Sequence, residues 1–242
     1  MTFAGVLRVD HIMAWTRLYW IPKGFGLHEG TYVSYPADEL FAVLALESHR
    51  NRCEVVGENL GVVPPEVGEA LARHRIWGMY VAQFAAPGKE AIEPPTSDDM
   101  ALIGTHDTPT LAGWLSGADI GERVRYGLLE KEEKVVRRVR QLRWRAAHRL
   151  ADVLGCPVDR PDTLLERLLE WLGRSDSPLV VPWFEDLWLE ERGVNLPGTR
   201  SSERPNWQRP MARLLDEILA DPQISSLVSS LNDSRAASSH HP

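Results

Sequence analysis

The chain alternates short apolar runs with longer stretches of helical spacing. GVLRVD (5–10) predicts a strand that ends in an acid, Asp10. Segment 36–52 places Leu40, Phe41, Val43, Leu44 and Leu46 at near-helical spacing, which predicts an amphipathic to buried helix. CEVVGE (53–58) pairs two β-branched residues with a terminal acid, Glu58, and predicts a second strand. Pro64 and Pro65 then open a helix over 65–75 with Val67, Ala70 and Leu71 on one face. GMYVAQF (78–84) and DMALIGTHD (99–107) predict two further strands, the latter ending at Asp107. After it, Thr108 is placed to cap a helix over 108–115, with Pro109 at its first position. A charged helix follows over 128–155, with Glu and Arg three and four residues apart. Segment 161–175 predicts another helix, 177–188 a strand with a helical turn, and 211–221 a late helix. The polar residues 223–242 predict a disordered tail.

Strands alternating with helices point to an α/β fold with a parallel sheet and crossover helices. Five strands fall near 6–10, 54–58, 79–84, 100–104 and 179–183. The expected organisation is one catalytic domain over 1–222, including a helical insertion over 119–175. In closed α/β barrels, catalytic groups sit at the C-terminal ends of the strands. Asp10, Glu58 and Asp107 all occupy such positions.

Composition narrows the field. Of 242 residues, 43% are hydrophobic and 25% charged, an ordinary globular balance. The net charge of −7 argues against nucleic acid as a general partner. No apolar run approaches the ~18 residues of a membrane span. Met1 is not followed by a signal-peptide pattern, and Cys53 and Cys156 fit no metal spacing and read as reduced thiols, so the expected compartment is the cytoplasm. The histidines show neither HxH nor HExxH spacing, so no metal site is expected. His240 and His241 fall in the tail. Nine tryptophans suit either a large core or stacking on sugar rings. For Trp15, Trp20 and Trp114 both readings stand.

A lone acid after a strand is usually a cap or a surface charge. Three such acids, all at strand ends, suit glycoside chemistry better. A retaining enzyme needs a carboxylate nucleophile and a carboxylic acid proton donor, with carboxyl groups about 5–5.5 Å apart. The residue types fit this chemistry, but spacing alone does not assign the roles.

Four motifs in order, LRVDHIMAWTRLYWIP, CEVVGENLGVVPPEV, GTHDTPTLAGW and VNLPGT…ERPNWQRP, resemble the 4-α-glucanotransferases, also called amylomaltases or disproportionating enzymes. The resemblance implies Asp10 as nucleophile, Glu58 as general acid/base and Asp107 as transition-state stabiliser. It implies substrate contacts for Arg8, beside the nucleophile, for His106, and for Asn195 in a loop over the active site. It implies α-1,4-glucans as donor and acceptor, and no cofactor. One departure is Asn59, where the family reads Asp, so the carboxylate next to Glu58 is replaced by an amide. A second is length. In the family the nucleophile strand is the fourth of the eight barrel strands. The resemblance therefore implies the C-terminal part, about strands four to eight, of a (β/α)8 barrel, with a missing N-terminal half as a partner. Two other readings remain: an inactive fragment or complementation partner that binds glucan, and an α-glucan hydrolase of the α-amylase clan.

Overall fold

The computed structural model describes residues 1–88 and 90–238. His240 and His241 lie outside the described residues. The chain divides into two compact units, where the sequence suggested one domain. The first comprises Met1–Met79 and Asp98–Met100, and the second Tyr80–Ser97 and Ala101–Pro242.

In the first unit, β1 (Val6–Val9) and β4 (Glu54–Gly57) pair in parallel, with Val6 opposite Glu54 and Val9 opposite Gly57. The connection between them is more than a helix. It includes β2 (Arg17–Trp20) and β3 (Thr31–Ser34), an antiparallel pair with Arg17 opposite Ser34. This pair was not expected from the sequence, because RLYW and TYVS lack a clean apolar alternation and largely face solvent. Next comes α1 (Ala37–Asn51), which buries only Phe41 and Leu44 of its apolar positions. The helix ends at Arg52, which takes the left-handed conformation at φ 49°. After β4, α2 (Pro65–His74) opens on Pro65 and buries Val67 and Leu71. Ile12, Met13, Phe41, Leu44, Val55, Val67, Leu71 and Ile76 form the core of this unit. Phe41 anchors it, with its ring 5.4 Å from both Trp15 and His74. Trp15 thus serves packing, whereas Trp20 is largely exposed.

A three-stranded sheet runs in the order β5 (Gly78–Val81), β6 (Asp99–Leu102), β7 (Leu179–Val181). In the second unit, β5 leads into the short α3 (Ala82–Ala85) and β6 leads to α4 (Leu111–Ser116). The cap of α4 is Thr110, whose hydroxyl accepts from the Gly113 amide, rather than the expected Thr108. Pro109 consequently precedes the helix. The helical insertion forms as α5 (Ala118–Arg125), α6 (Glu133–Leu154) and α7 (Pro161–Gly173). Leucines 164, 165, 168, 169 and 172 make α7 apolar on most of its circumference, so it sits at the centre of the unit. Trp114 also belongs to this core. After β7 come a 3-10 turn (Phe184–Trp188) and α8 (Leu215–Leu219).

The expected disordered tail is corrected. Pro222–Ser238 forms a helix, α9, that packs along α7. Polar composition hid it, because only Ile224, Leu231 and Ser234 are buried. Ser234 allows close approach: a Cβ on Gly173 would lie 2.8 Å from the Ser234 Cβ.

Candidate active site

The strand ends of the first unit hold one acidic pair and its cation. Asp10 follows β1 directly, and the Arg8 guanidinium lies 2.8 Å from its carboxylate. Arg8 also points Nε at the Met79 sulfur, 3.4 Å away. The carboxylate of Asp10 is open to solvent on its other sides, as a group meant to meet a ligand would be. Glu58 follows β4 and is nearly buried. Each of its oxygens accepts one backbone N–H: Oε2 from His11 at 2.8 Å and Oε1 from Leu60 at 2.8 Å. Its backbone is stitched to the same segment, donating to the Val9 carbonyl and accepting from Ile12. The residue after the candidate nucleophile therefore orients the candidate acid. His11 reaches this position with φ 45°, and it is exposed. One bond per carboxylate oxygen leaves further lone pairs for a proton or a sugar hydroxyl.

Asn59 turns away to other work. Its Oδ1 accepts from the Met79 amide at 2.8 Å, and its amide nitrogen sits where a Cβ on Gly78 would be, 2.7 Å off. An aspartate would accept the same bond. The Asn at this position thus keeps the structural contact that ties the Glu58 loop to β5.

The second unit carries His106, Asp107 and Asn195. Asp107 Oδ1 accepts from the Asn195 amide at 2.6 Å, and Oδ2 lies 3.2 Å from His106 Nε2. Two side chains thus fix one carboxylate. The His106 ring lies 5.5 Å from that of Trp207 and 6.4 Å from that of Trp183. Trp207 is exposed and held at φ 61°, which presents an aromatic face beside the histidine.

The loop with Asn195 is clamped by residues that sequence reasoning passed over. Arg204, buried, donates to the carbonyls of Gly193 and Val194, to Asn206 Oδ1 and to Glu122. Asn206 Oδ1 accepts from the Leu196 amide, and its Nδ2 donates to Thr199. The signal was present: an arginine and an asparagine two apart in ERPNW, close after a Pro-Gly loop, are what a loop without secondary structure needs to satisfy its backbone. Asp186 also went unnoticed. It is buried in the 3-10 turn, and its Oδ1 accepts from the Leu111 amide at 2.6 Å. Burial, opposed by this bond, pushes its carboxyl up to about 7. Among the described residues, no cluster of three or more His, Cys, Asp or Glu could hold a metal, and no helix is long and apolar enough to cross a membrane.

These strand-end groups meet matching proteins. Residues 1–216 match the family model for 4-alpha-glucanotransferase. This chain belongs to the 4-alpha-glucanotransferase family. The 4-alpha-glucanotransferase of Haemophilus influenzae is 36% identical over 97% of this chain, and that of Mycobacterium tuberculosis 33% over 93%. Among solved structures, amylomaltase from Corynebacterium glutamicum matches 94% of the chain with a TM-score of 0.81 at 26% identity. Amylomaltase from Streptococcus agalactiae, solved with acarbose, shares the fold at a TM-score of 0.67 and 20% identity. The chain spans about a third of these relatives' length: 35% of the Haemophilus protein and 35% of the Corynebacterium chain. Within the family, the fold class is α/β, in agreement with the alternating pattern of the sequence.

Proposed function

We propose that this chain is the C-terminal catalytic portion of a 4-α-glucanotransferase and transfers α-1,4-glucan segments between maltooligosaccharides. The observation that carries this is the linked geometry after β1 and β4. Asp10 is paired with Arg8, and the very next amide, of His11, holds the Glu58 carboxylate. In this reading Glu58 protonates the leaving glycosidic oxygen while Asp10 attacks the anomeric carbon. The covalent glucosyl ester then forms with inversion. Glu58 next takes the proton from the 4-hydroxyl of an acceptor glucan, whose attack releases Asp10 and restores the configuration. Asp107, its two oxygens held by Asn195 and His106, takes the role of transition-state stabiliser in this reading. Arg8 orients the nucleophile through its guanidinium. No step calls for a cofactor. The free cysteines suit work in the cytoplasm.

The partial barrel belongs to the same proposal. Among the described residues, β1 has one hydrogen-bonded strand neighbour, β4, and α1 leaves Leu40, Val43 and Leu46 exposed. Unpaired edges and apolar faces of this kind invite a partner. Relatives three times as long supply one: the preceding barrel strands, on the same polypeptide or on a separate chain.

The test is maltotriose incubated with the chain and with Glu58→Gln, products being separated by chromatography. Glucose plus longer oligomers, lost in Glu58→Gln, is the expected result. Glucose and maltose alone would show a hydrolase instead. If the wild-type chain yields neither while the chain extended through the upstream strands transfers, the fragment is incomplete. If the extended chain is also inert, the proposal fails.

A further inference from the structure

The loop bearing His106 and Asp107 is pinned from three directions, and one anchor is chemically unusual. Thr105 and Thr108 close the turn on themselves: the Thr108 hydroxyl accepts from the Thr105 amide at 2.8 Å and donates to its carbonyl at 3.0 Å. Asp107 donates its amide to the Thr105 hydroxyl at 3.2 Å. Gln83, from α3, donates to the Pro109 carbonyl at 3.0 Å. The third anchor is the Asp186 carboxylate on the Leu111 amide, four residues beyond Asp107.

We propose that Asp186 is a positioning residue for glucan transfer, fixing the start of α4 from the 3-10 turn after β7 and so setting where His106 and Asp107 stand. The proposal rests on the transferase reading above. Thr110 already caps α4, and α4 has only six residues. A neutral hydroxyl or amide could accept one more N–H there. A buried carboxylate is costly to keep, and the second oxygen of Asp186 is buried with no partner among the described residues. What the charge adds is strength, since hydrogen bonds to ionised acceptors are roughly twice as strong as neutral ones. Such a bond is useful where a loop must not drift, because small misplacements of catalytic groups are costly in rate. The packing around the anchor is equally close. Gly113 lies so near the Glu191 carbonyl that any side chain there would collide.

Few charged groups face Asp186. Its own turn contributes Glu185, whose negative charge opposes ionisation. α3 and α4 contribute no titratable side chain. α9, which also packs on the turn, carries Asp233 and Arg235, and the Arg235 guanidinium donates to the Ser175 and Pro178 carbonyls. Ionisation of Asp186 therefore strengthens its hold on Leu111 against the resistance of burial and of Glu185.

The test is amide hydrogen exchange by NMR on the whole chain, in wild type, Asp186→Asn and Asp186→Ala, with the Leu111 amide shift followed from pH 5 to pH 9. Expected in Asp186→Ala is a loss of protection of tenfold or more at Leu111 and also at Asp107 and Thr108. The α7 amides should stay within twofold, and Asp186→Asn, a neutral acceptor, should restore only part of the protection. The wild-type Leu111 shift should move with an inflection near neutrality that Asp186→Asn lacks. Loss at Leu111 alone, or equal loss throughout α7, would reduce Asp186 to a cap or a core residue and overturn the proposal. If Asp186→Ala does not fold, Asp186→Asn decides the matter: unchanged protection at Leu111, Asp107 and Thr108 in that variant would also overturn the proposal. Where wild type transfers glucan, kcat should fall at least tenfold in Asp186→Ala with KM within twofold. Absence of wild-type transfer counts against the transferase reading, and the exchange data still judge Asp186.

Discussion

The two units of this chain treat their apolar residues in opposite ways. In the second, α7 buries Leu164, Leu165, Leu168, Leu169 and Leu172, and Leu168 is 0% exposed. Both α6 and α9 pack against α7. In the first, α1 is just as rich in aliphatic residues but leaves Val43 61% and Leu46 48% exposed. Among the described residues, β1 of the same unit pairs with β4 alone. Both helices obey the same rule of burial. The difference is that one has its neighbours within the chain, and the other presents the face on which neighbours would sit.

The comparison breaks first at the chemistry. Glu58→Gln keeps the shape of the side chain and its two backbone partners but removes the exchangeable proton. In any form of the chain that transfers glucan, the rate should fall by about 10^3-fold, within the range for loss of a general acid/base. Measured initial rates on maltotriose decide this. A loss smaller than tenfold would mean that Glu58 is held in place for structure alone.

Next comes the core of the second unit. Leu168→Ala should destabilise it by about 3 kcal/mol, the usual cost of an aliphatic cavity in a sealed core. Urea unfolding, followed separately by signals from each unit, should show the second transition move and the first stay put. Arg204→Ala should follow at about 2 kcal/mol, since it leaves Glu122, Asn206 and the carbonyls of 193 and 194 without their donor. Its specific mark would be faster exchange across 193–199 and loss of the Asn195 to Asp107 contact.

How far the sequence foretold these two regions depends on where their determinants lie. The strand ends before Asp10 and Glu58 were legible, because an apolar run stopped by an acid is a local signal, whereas β6 ends at Leu102 and leaves Asp107 in the loop after it rather than at the strand end. The helical insertion was legible from its periodicity. The hairpin β2–β3 was not: it is mostly exposed, and an exposed hairpin has no alternation to display. α9 looked like a tail because its stability comes from contact with α7, which no local composition reveals. Asp186 and Arg204 were missed for a related reason. Their partners lie 75 and 82 residues away, at Leu111 and Glu122, so only the folded chain shows why a charge is buried there.

A pH effect of intermediate size follows from Asp186. Its folded carboxyl is raised from 3.8 to about 7, so the fold favours the protonated form. The folded chain then binds more protons than the unfolded one between these values. Stability should therefore be greatest, from this group, below about pH 4 and decline as pH rises through 7. The slope cannot exceed about 1.4 kcal/mol per pH unit for one group. The measurement is the difference in unfolding free energy between wild type and Asp186→Asn. That difference should shift in favour of the variant as pH increases from 5 to 8. A flat difference would mean that the carboxyl is not buried in solution.

The smallest effect is the most telling about the first unit. Val43→Ser and Leu46→Ser on α1 remove apolar groups that touch little, so the isolated chain should change in stability by about 0.5 kcal/mol or less. Solubility should rise, since the apolar stripe shrinks. The same pair introduced into a chain extended through the upstream strands should cost more, because there the groups would be buried. At about 25 cal/mol per Å² of apolar area, covering two aliphatic side chains is a matter of a few kcal/mol. Equal small losses in both contexts would show that α1 faces solvent even in the longer protein, and the covering strands would have to sit elsewhere. A large loss in the extended chain alone would place them on α1, and with them the start of the barrel.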